Sequence, residues 1–460
     1  MASVDVNVAK PTPPLSQKLI LITWLPLAAS WLLMAVEGPY INGALARIDD
    51  SVRMIAAFGL AASLSIFIES PVISLLATST ALARSKQNYL MLRRYTLHLM
   101  AGTTLLQFLL AWTPLFDLVV IDIMGVPESL HEPVRLGLRL MQFWSAAIAW
   151  RRFKQGVLIR LGHSHFVGKG TVIRLLGSVG GATVLALFTS LPGIAVGALS
   201  LSAGVIAEAL YAELVSAPLI RERFGDADSL KRPELSYREL LTFHWPLATS
   251  NLLFLFTPPI IAAALARGPQ PELALAAWPV LNGLLFVTRA PEMALPEVAI
   301  ALNDEKESQT AIRRFALTVG VISCAFLALI GLTPLSHFYF ETLIGLTPAL
   351  ASMAEAGARL ALLMPLAMAF VAGSRGLLTA QHITRPQAVA IAVELVTLII
   401  VLVIGVSLGF PGVSVAAIAM TAALTTEAIY LGLVSRQNHI PVIPIRAGAG
   451  RLGIKTFRKE

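Results

Sequence analysis

The chain repeats itself at a fixed spacing of 220 residues, and this constrains its fold more than any other feature of the sequence. Trp24-Leu25-Pro26-Leu27-Ala28-Ala29-Ser30 recurs as His244-Trp245-Pro246-Leu247-Ala248-Thr249-Ser250. At the same shift Pro39 meets Pro259, Ala44-Leu45-Ala46-Arg47 meets Ala264-Leu265-Ala266-Arg267, and Pro71 meets Pro291. Further on, Arg93-Arg94 meets Arg313-Arg314, Gly125 meets Gly345 and Gly156 meets Gly376. After a slip of one residue, Pro192-Gly193 meets Pro411-Gly412, and Glu208 and Tyr211 meet Glu427 and Tyr430. So long a self-match, rich in Gly, Pro and Arg, marks a duplicated structural unit.

Each copy is built of apolar blocks. In the first they lie near residues 19–44, 52–83, 89–113, 134–161, 166–189 and 193–218, and in the second near 238–265, 272–302, 308–331, 349–379, 386–409 and 412–435. About 20 apolar residues cross a ~30 Å hydrocarbon core as a helix, so every block is long enough. The composition agrees: 56% of residues are hydrophobic, 13% are charged, and the mean hydropathy is +0.75. The sequence therefore predicts an all-α polytopic membrane protein. Its twelve transmembrane helices would form two pseudo-symmetric six-helix bundles around a central cavity. Residues 1–220 form the first lobe, 221–237 a cytoplasmic linker, 238–436 the second lobe and 437–460 a basic cytoplasmic tail. Six is even, so both copies run in the same direction, as in parallel-repeat transporters. The tripeptide Ala44-Leu45-Ala46 resembles a signal-peptidase site, but the preceding span is too long for a signal peptide and is read as a retained helix.

Most of the 35 Lys and Arg residues fall in the tails, the linker and the loops after even-numbered spans. The loop after span 3 is acidic, with Asp117, Asp122, Glu128 and Glu132. This asymmetry predicts that both termini are cytoplasmic, in a plasma membrane or bacterial inner membrane. It also accounts for the net charge of +8 without nucleic acid. The single Cys324 excludes a disulfide framework and a cysteine metal site.

Ionisable groups inside apolar spans are costly and are site candidates by default. Glu37 stands two residues before Pro39, where a freed carbonyl and a carboxylate together suit a coupling proton or Na⁺; hydration near the outer interface is the competing reading. Glu69 is a second coupling candidate. It also shares a repeat position with Arg289, so the two are a candidate gate pair, unless Arg289 pairs with Glu292 one turn away. Arg151, Arg152 and Lys154 occur in the first copy alone. They are candidate anion contacts, since guanidinium grips carboxylate or phosphate bidentately, or else they are a topology signal. Arg139 and Arg359 are further anion candidates, with snorkelling or interhelical pairing as the alternative. The duplicated Glu208 and Glu427 read as structural. Pro26, Pro39, Pro71, Pro246, Pro259 and Pro291 are candidate hinges.

Gly162 to Thr171 echoes a phosphate loop, but the spacing is wrong and no strand precedes it. His163 and His165 lack further metal ligands nearby. No nucleophile motif is present and no segment reads as a nucleotide-binding domain, so the sequence predicts neither an enzyme nor a cofactor. A coupling ion, proton or sodium, is the one small partner expected besides the solute and the bilayer. A monomer is expected.

Duplicated six-helix lobes with Pro in the first two helices resemble the multidrug/oligosaccharide-lipid/polysaccharide exporter superfamily. Within it, Trp24-Leu25-Pro26-Leu27, the stretch from Ala147 to Phe166 and Leu241 to Leu247 are most similar to progressive ankylosis type transporters. The resemblance implies two bundles in a V, with helices 1, 2, 7 and 8 flanking a cavity that opens alternately to each side. It implies efflux of an organic or phosphorylated anion. A proton- or Na⁺-coupled cation antiporter, a flippase for lipid-linked precursors, and a membrane scaffold or receptor remain the alternatives.

Overall fold

A computed structural model describes residues 15–224, 235–302, 306–381, 383, 385–438 and 440. Most of the expected linker and of the basic tail lies outside the described residues. Among them every regular element is helical. This follows from the apolar blocks, because a backbone in hydrocarbon must satisfy its hydrogen bonds within its own segment.

The first half runs α1 (Gln17–Leu45), α2 (Ser51–Ile68), α3 (Ser70–Ile73), α4 (Leu75–Leu82), α5 (Lys86–Trp112), a π-helical turn (Asp117–Ile123), α6 (His131–Leu140), α7 (Trp144–Arg160), α8 (His165–Phe188) and α9 (Gly193–Arg223). The second runs α10 (Tyr237–Leu255), α11 (Thr257–Arg267), α12 (Pro271–Arg289), a 3₁₀ turn (Glu292–Ala294), α13 (Leu295–Leu302) and α14 (Lys306–Leu332). It continues with α15 (Leu335–His337), a second π-helical turn (Phe338–Ile344), α16 (Pro348–Leu360), α17 (Met364–Ala380), α18 (Arg385–Ser407) and α19 (Gly412–Gln437).

Irregularities recur with the sequence repeat. Asp50 and Gln270 are left-handed residues opening α2 and α12, and Gly125 and Gly345 are left-handed residues after the two π-helical turns. Glycine has no Cβ to oppose that conformation. The helices α6–α7 and α16–α17 break at equivalent places. The prolines behave differently from one another. Pro26, Pro39 and Pro246 sit within continuous helices, whereas Pro71, Pro259 and Pro291 lie at or next to breaks.

By length and composition, nine helices among the described residues can cross a membrane, or eleven if each of two bent pairs is one span. Twelve crossings are thus not what this criterion returns. The helix pair α6–α7 fails it because Arg135, Arg139, Arg151, Arg152, Lys154 and Arg160 fall along it. Exposed Leu176, Phe188, Leu214 and Val403 form part of an apolar outer surface suited to lipid.

Packing joins the halves crosswise. Near the C-terminal ends of α1 and α11, Leu45, Phe58, Leu265, Leu281, Phe340 and Val413 belong to one continuous core. Toward the other end the core divides. Ile20 of α1 is buried with Leu295, Phe315 and Leu377 of the second half, whereas Leu240 of α10 is buried with Leu92, Phe153 and Phe224 of the first. Gly59 lets α2 approach Pro279 of α12, and Gly283 lies against Pro39.

Candidate functional site

Two charged clusters lie inside the apolar protein. The first gathers α1, α7, α8 and α9. Arg174 grips Glu37 with two nitrogens, Nε to Oε1 at 3.2 Å and Nη2 to Oε2, and Ser178 Oγ donates to Oε1 of the same carboxylate. Arg151 pairs with Glu208, which also accepts from Gln155 Nε2 at 2.9 Å; both charged side chains are almost wholly buried. Lys154 Nζ lies 2.8 Å from Glu213 and donates to the Tyr89 hydroxyl at 3.1 Å, and Trp150 Nε1 donates to Glu213. Buried charges persist in this way, paired and hydrogen-bonded.

Two members of the first cluster are left over. Arg152 makes no hydrogen bond or ion pair among the described residues, and its Nε is buried without a partner. Its electrostatic surroundings are Arg151, Glu208, Glu69 and Arg174. Glu69, also buried, has Oε2 unpartnered and faces the same three arginines.

The second cluster is built differently. Arg375 of α17 lies 2.6 Å from Glu427 of α19 and 3.8 Å from Glu394 of α18. At the shift of 220, Arg375 stands where the first half has Gln155, and Glu394 stands where it has Arg174. Arg289 donates to Leu285 O at 3.0 Å and Asn282 Oδ1 at 3.4 Å. Glu292 is completely buried, and neither of its oxygens has a hydrogen-bond partner among the described residues.

These placements revise several sequence expectations. Glu69 and Arg289 are not paired here: each turns into the cluster of its own half, so repeat-equivalent positions need not face each other. Arg289 forms no ion pair with Glu292 either. Of the three cationic anion candidates on α7, Arg151 and Lys154 are committed to protein carboxylates and Arg152 alone is not. Arg139 donates to Ala111 O at 3.3 Å and lies over the Trp112 ring at 4.4 Å, and Arg359 donates to Gly331 O at 2.9 Å. The two clamp the C-terminal carbonyls of α5 and α14, where a cation complements the helix dipole.

Arg174, Gln155, Glu213, Arg375 and Glu394 were not candidates in the sequence reading. Its available signal was the repeat itself, which puts opposite or unlike charges at equivalent positions 174 and 394 and at 155 and 375.

Further contacts cross between the halves. Trp24 Nε1 donates to Pro291 O at 2.9 Å, and His244 Nε2 lies 3.0 Å from Pro71 O. A carbonyl only accepts, so Nε2 carries the proton and Nδ1 accepts from Thr78 Oγ1 at 3.0 Å. At the opposite end Arg47 donates to Ile344 O at 2.7 Å and Leu343 O at 2.8 Å, and Arg267 donates to Met124 O at 2.6 Å and to Ile123 O. A Cβ on Gly345 would stand 3.3 Å from the Arg47 guanidinium carbon, and one on Gly125 would stand 3.4 Å from that of Arg267.

The family sequence model of the progressive ankylosis protein matches residues 10–275, nearly all of the first half and the opening of the second. The chain belongs to the progressive ankylosis protein family. It is a multi-pass membrane transporter and not an enzyme. Solved structures show the fold over nearly the whole length. An inward-facing multidrug resistance MATE family transporter superposes with a TM-score of 0.68 at 13% identity, covering 91% of this chain and 97% of the other. A transporter of the same MOP superfamily from Pyrococcus furiosus, described by the reverse polarity of its binding pocket, gives 0.63 at 13%, with coverages of 93% and 98%. The lipid II flippase MurJ in an inward closed conformation gives 0.68 at 12%, with coverages of 90% and 87%. No curated protein sequence matches the chain.

Proposed function

We propose that this transporter exports a small organic or phosphorylated anion by alternating access, and that Arg152 is its principal substrate contact. The supporting observation is the state of the basic side chains in the first cluster. Arg151, Lys154 and Arg174 each pair with a carboxylate, while Arg152 pairs with none among the described residues. An unmatched guanidinium inside a membrane protein is costly, and an anionic solute would satisfy it bidentately. Glu69, close to the same arginines, would repel the anion once ionised and so favour release.

In this reading α2 to α4 form one crossing and α6–α7 another, tolerated in spite of its charges because Arg151 and Lys154 face carboxylates and not lipid. Twelve crossings then form two six-helix lobes, 1–220 and 238–436, related by an axis along the membrane normal. Both termini are cytoplasmic, the membrane is a plasma or bacterial inner membrane, and the working unit is a monomer. The Arg47 and Arg267 contacts close the outer side, and the divided core with its Trp24 and His244 bridges lies toward the cytoplasm. Coupling to protons or sodium through Glu37 would require Arg174 to release it, which makes Glu69 the more available acid of the two.

The test is uptake by inside-out proteoliposomes of citrate, pyrophosphate, ATP and one lipophilic cation. Anion uptake that falls to background in Arg152→Gln is the expected result. Uptake of the cation alone would refute the anion reading, and lipid scrambling without solute uptake would favour a flippase.

A further inference from the structure

Glu292 opens the short 3₁₀ turn that interrupts the eighth apolar stretch between α12 and α13. Its side chain is completely buried, and both carboxylate oxygens lack a hydrogen-bond partner among the described residues. An ionised carboxylate left so would carry the full cost of desolvation, which proteins avoid by neutralising the group. The residue before it, Pro291, supplies the carbonyl that receives Trp24 Nε1 of the other half at 2.9 Å. A buried acid without a partner is therefore joined, through one peptide unit, to a contact that bridges the two halves.

The surroundings supply the other state. Among the described residues the one charged group acting on Glu292 is Arg289, three residues earlier, the spacing at which side chains meet on one helical face. Among the described residues Arg289 holds no carboxylate and donates to Leu285 O and Asn282 Oδ1. From α14 come Cys324 and Ser323, whose hydroxyl stands by the carboxylate without meeting hydrogen-bond geometry. From α17, Arg375 is occupied by Glu427 and Glu394. From α1 the neighbour is Trp24.

We infer that Glu292 is a proton-binding residue of the transport cycle, protonated while Trp24 bridges to Pro291 and ionised when that seam opens. On opening, the carboxyl O–H bond breaks, the proton passes to water admitted to the seam, and the carboxylate left behind pairs with Arg289. The closed seam binds one more proton than the open one, so lower pH favours closure and higher pH favours opening. The direction of coupling rests on the anion-exporter reading; the proton site itself does not.

Infrared spectroscopy of the full-length protein in lipid bilayers tests the site without any substrate. The carbonyl band of a protonated carboxylic acid is expected at neutral pH in the wild type and lost in Glu292→Gln, which keeps the shape of the neutral side chain. Glu292→Asp, which can still hold a proton, should keep such a band. A wild-type spectrum without the band, or a band unchanged in Glu292→Gln, would overturn the inference. In proteoliposomes a pH gradient should accelerate pyrophosphate uptake by the wild type and not by Glu292→Gln; retained acceleration would equally overturn it. Should no anion be taken up while the band behaves as expected, the substrate reading fails and the proton site stands.

Discussion

Arg47 and Arg267 make one contact in two opposite directions. Each ends the opening stretch of its own half, and each caps the π-helical turn of the other half: Arg47 on the carbonyls of Leu343 and Ile344, Arg267 on those of Ile123 and Met124. Charge-assisted bonds of this kind are worth about 1.5–3 kcal/mol each. Arg47→Gln should therefore raise the population open at that end roughly tenfold, and adding Arg267→Gln should raise it again. The check is the labelling rate of Ala46→Cys, in a Cys324→Ser background, by a membrane-impermeant thiol reagent. Equal rates in all variants would show that these arginines do not hold the seam.

The Glu37–Arg174 pair yields a stability prediction. Removing one partner leaves a buried charge uncompensated, at a cost of about 3–5 kcal/mol. Arg174→Gln should lower the thermal unfolding midpoint strongly, and Glu37→Gln with Arg174→Gln should recover most of the loss. A double variant no better than the single would mean that the two residues act independently.

Gly204 sets the spacing of α8 and α9 where this cluster is built. A Cβ there would collide with Ser178 Oγ and come within 2.6 Å of Arg174 O. Gly204→Ala is expected to destabilise the protein by roughly 1–3 kcal/mol, as overpacking does. The same variant should weaken the hold of Ser178 on Glu37. Thermal unfolding of Gly204→Ala alone and in combination with Ser178→Ala measures both effects, and full additivity would rule out the link.

Exchanging the charges of Glu69 and Arg289 is expected to fail. Since the two do not meet, Glu69→Arg with Arg289→Glu should transport no better than either single variant. Recovery in the double variant would place them in contact in another state of the cycle.

The all-helical membrane character was legible because it rests on a local signal, apolar length, whereas the number of crossings was not, because charged and broken helices escape that signal. The site was legible only as a set of costly residues. Glu37, Glu69, Arg151 and Arg152 stood out because charge in an apolar block needs a reason, but the identity of each partner depends on packing between helices far apart in sequence. The repeat even misled at Glu69 and Arg289. In a parallel duplication, equivalent residues lie on opposite sides of the pseudo-axis and meet only when they sit close to it. Trp24 illustrates the rule that does hold: it contacts Pro291, the equivalent of Pro71, just as His244 contacts Pro71.

The crosswise burial of Ile20 and Leu240 reaches beyond transport. A contact that runs from i to j and again from j to i is the isologous pattern of a two-fold homodimer. Here each half completes its interior with the first helix of the other, as subunits do when they exchange a segment. Neither half produced alone would own all the parts of its core. Two copies of one half could still supply them to each other, while fusion in a single chain has let the paired sites diverge, an indole in one and an imidazole in its counterpart.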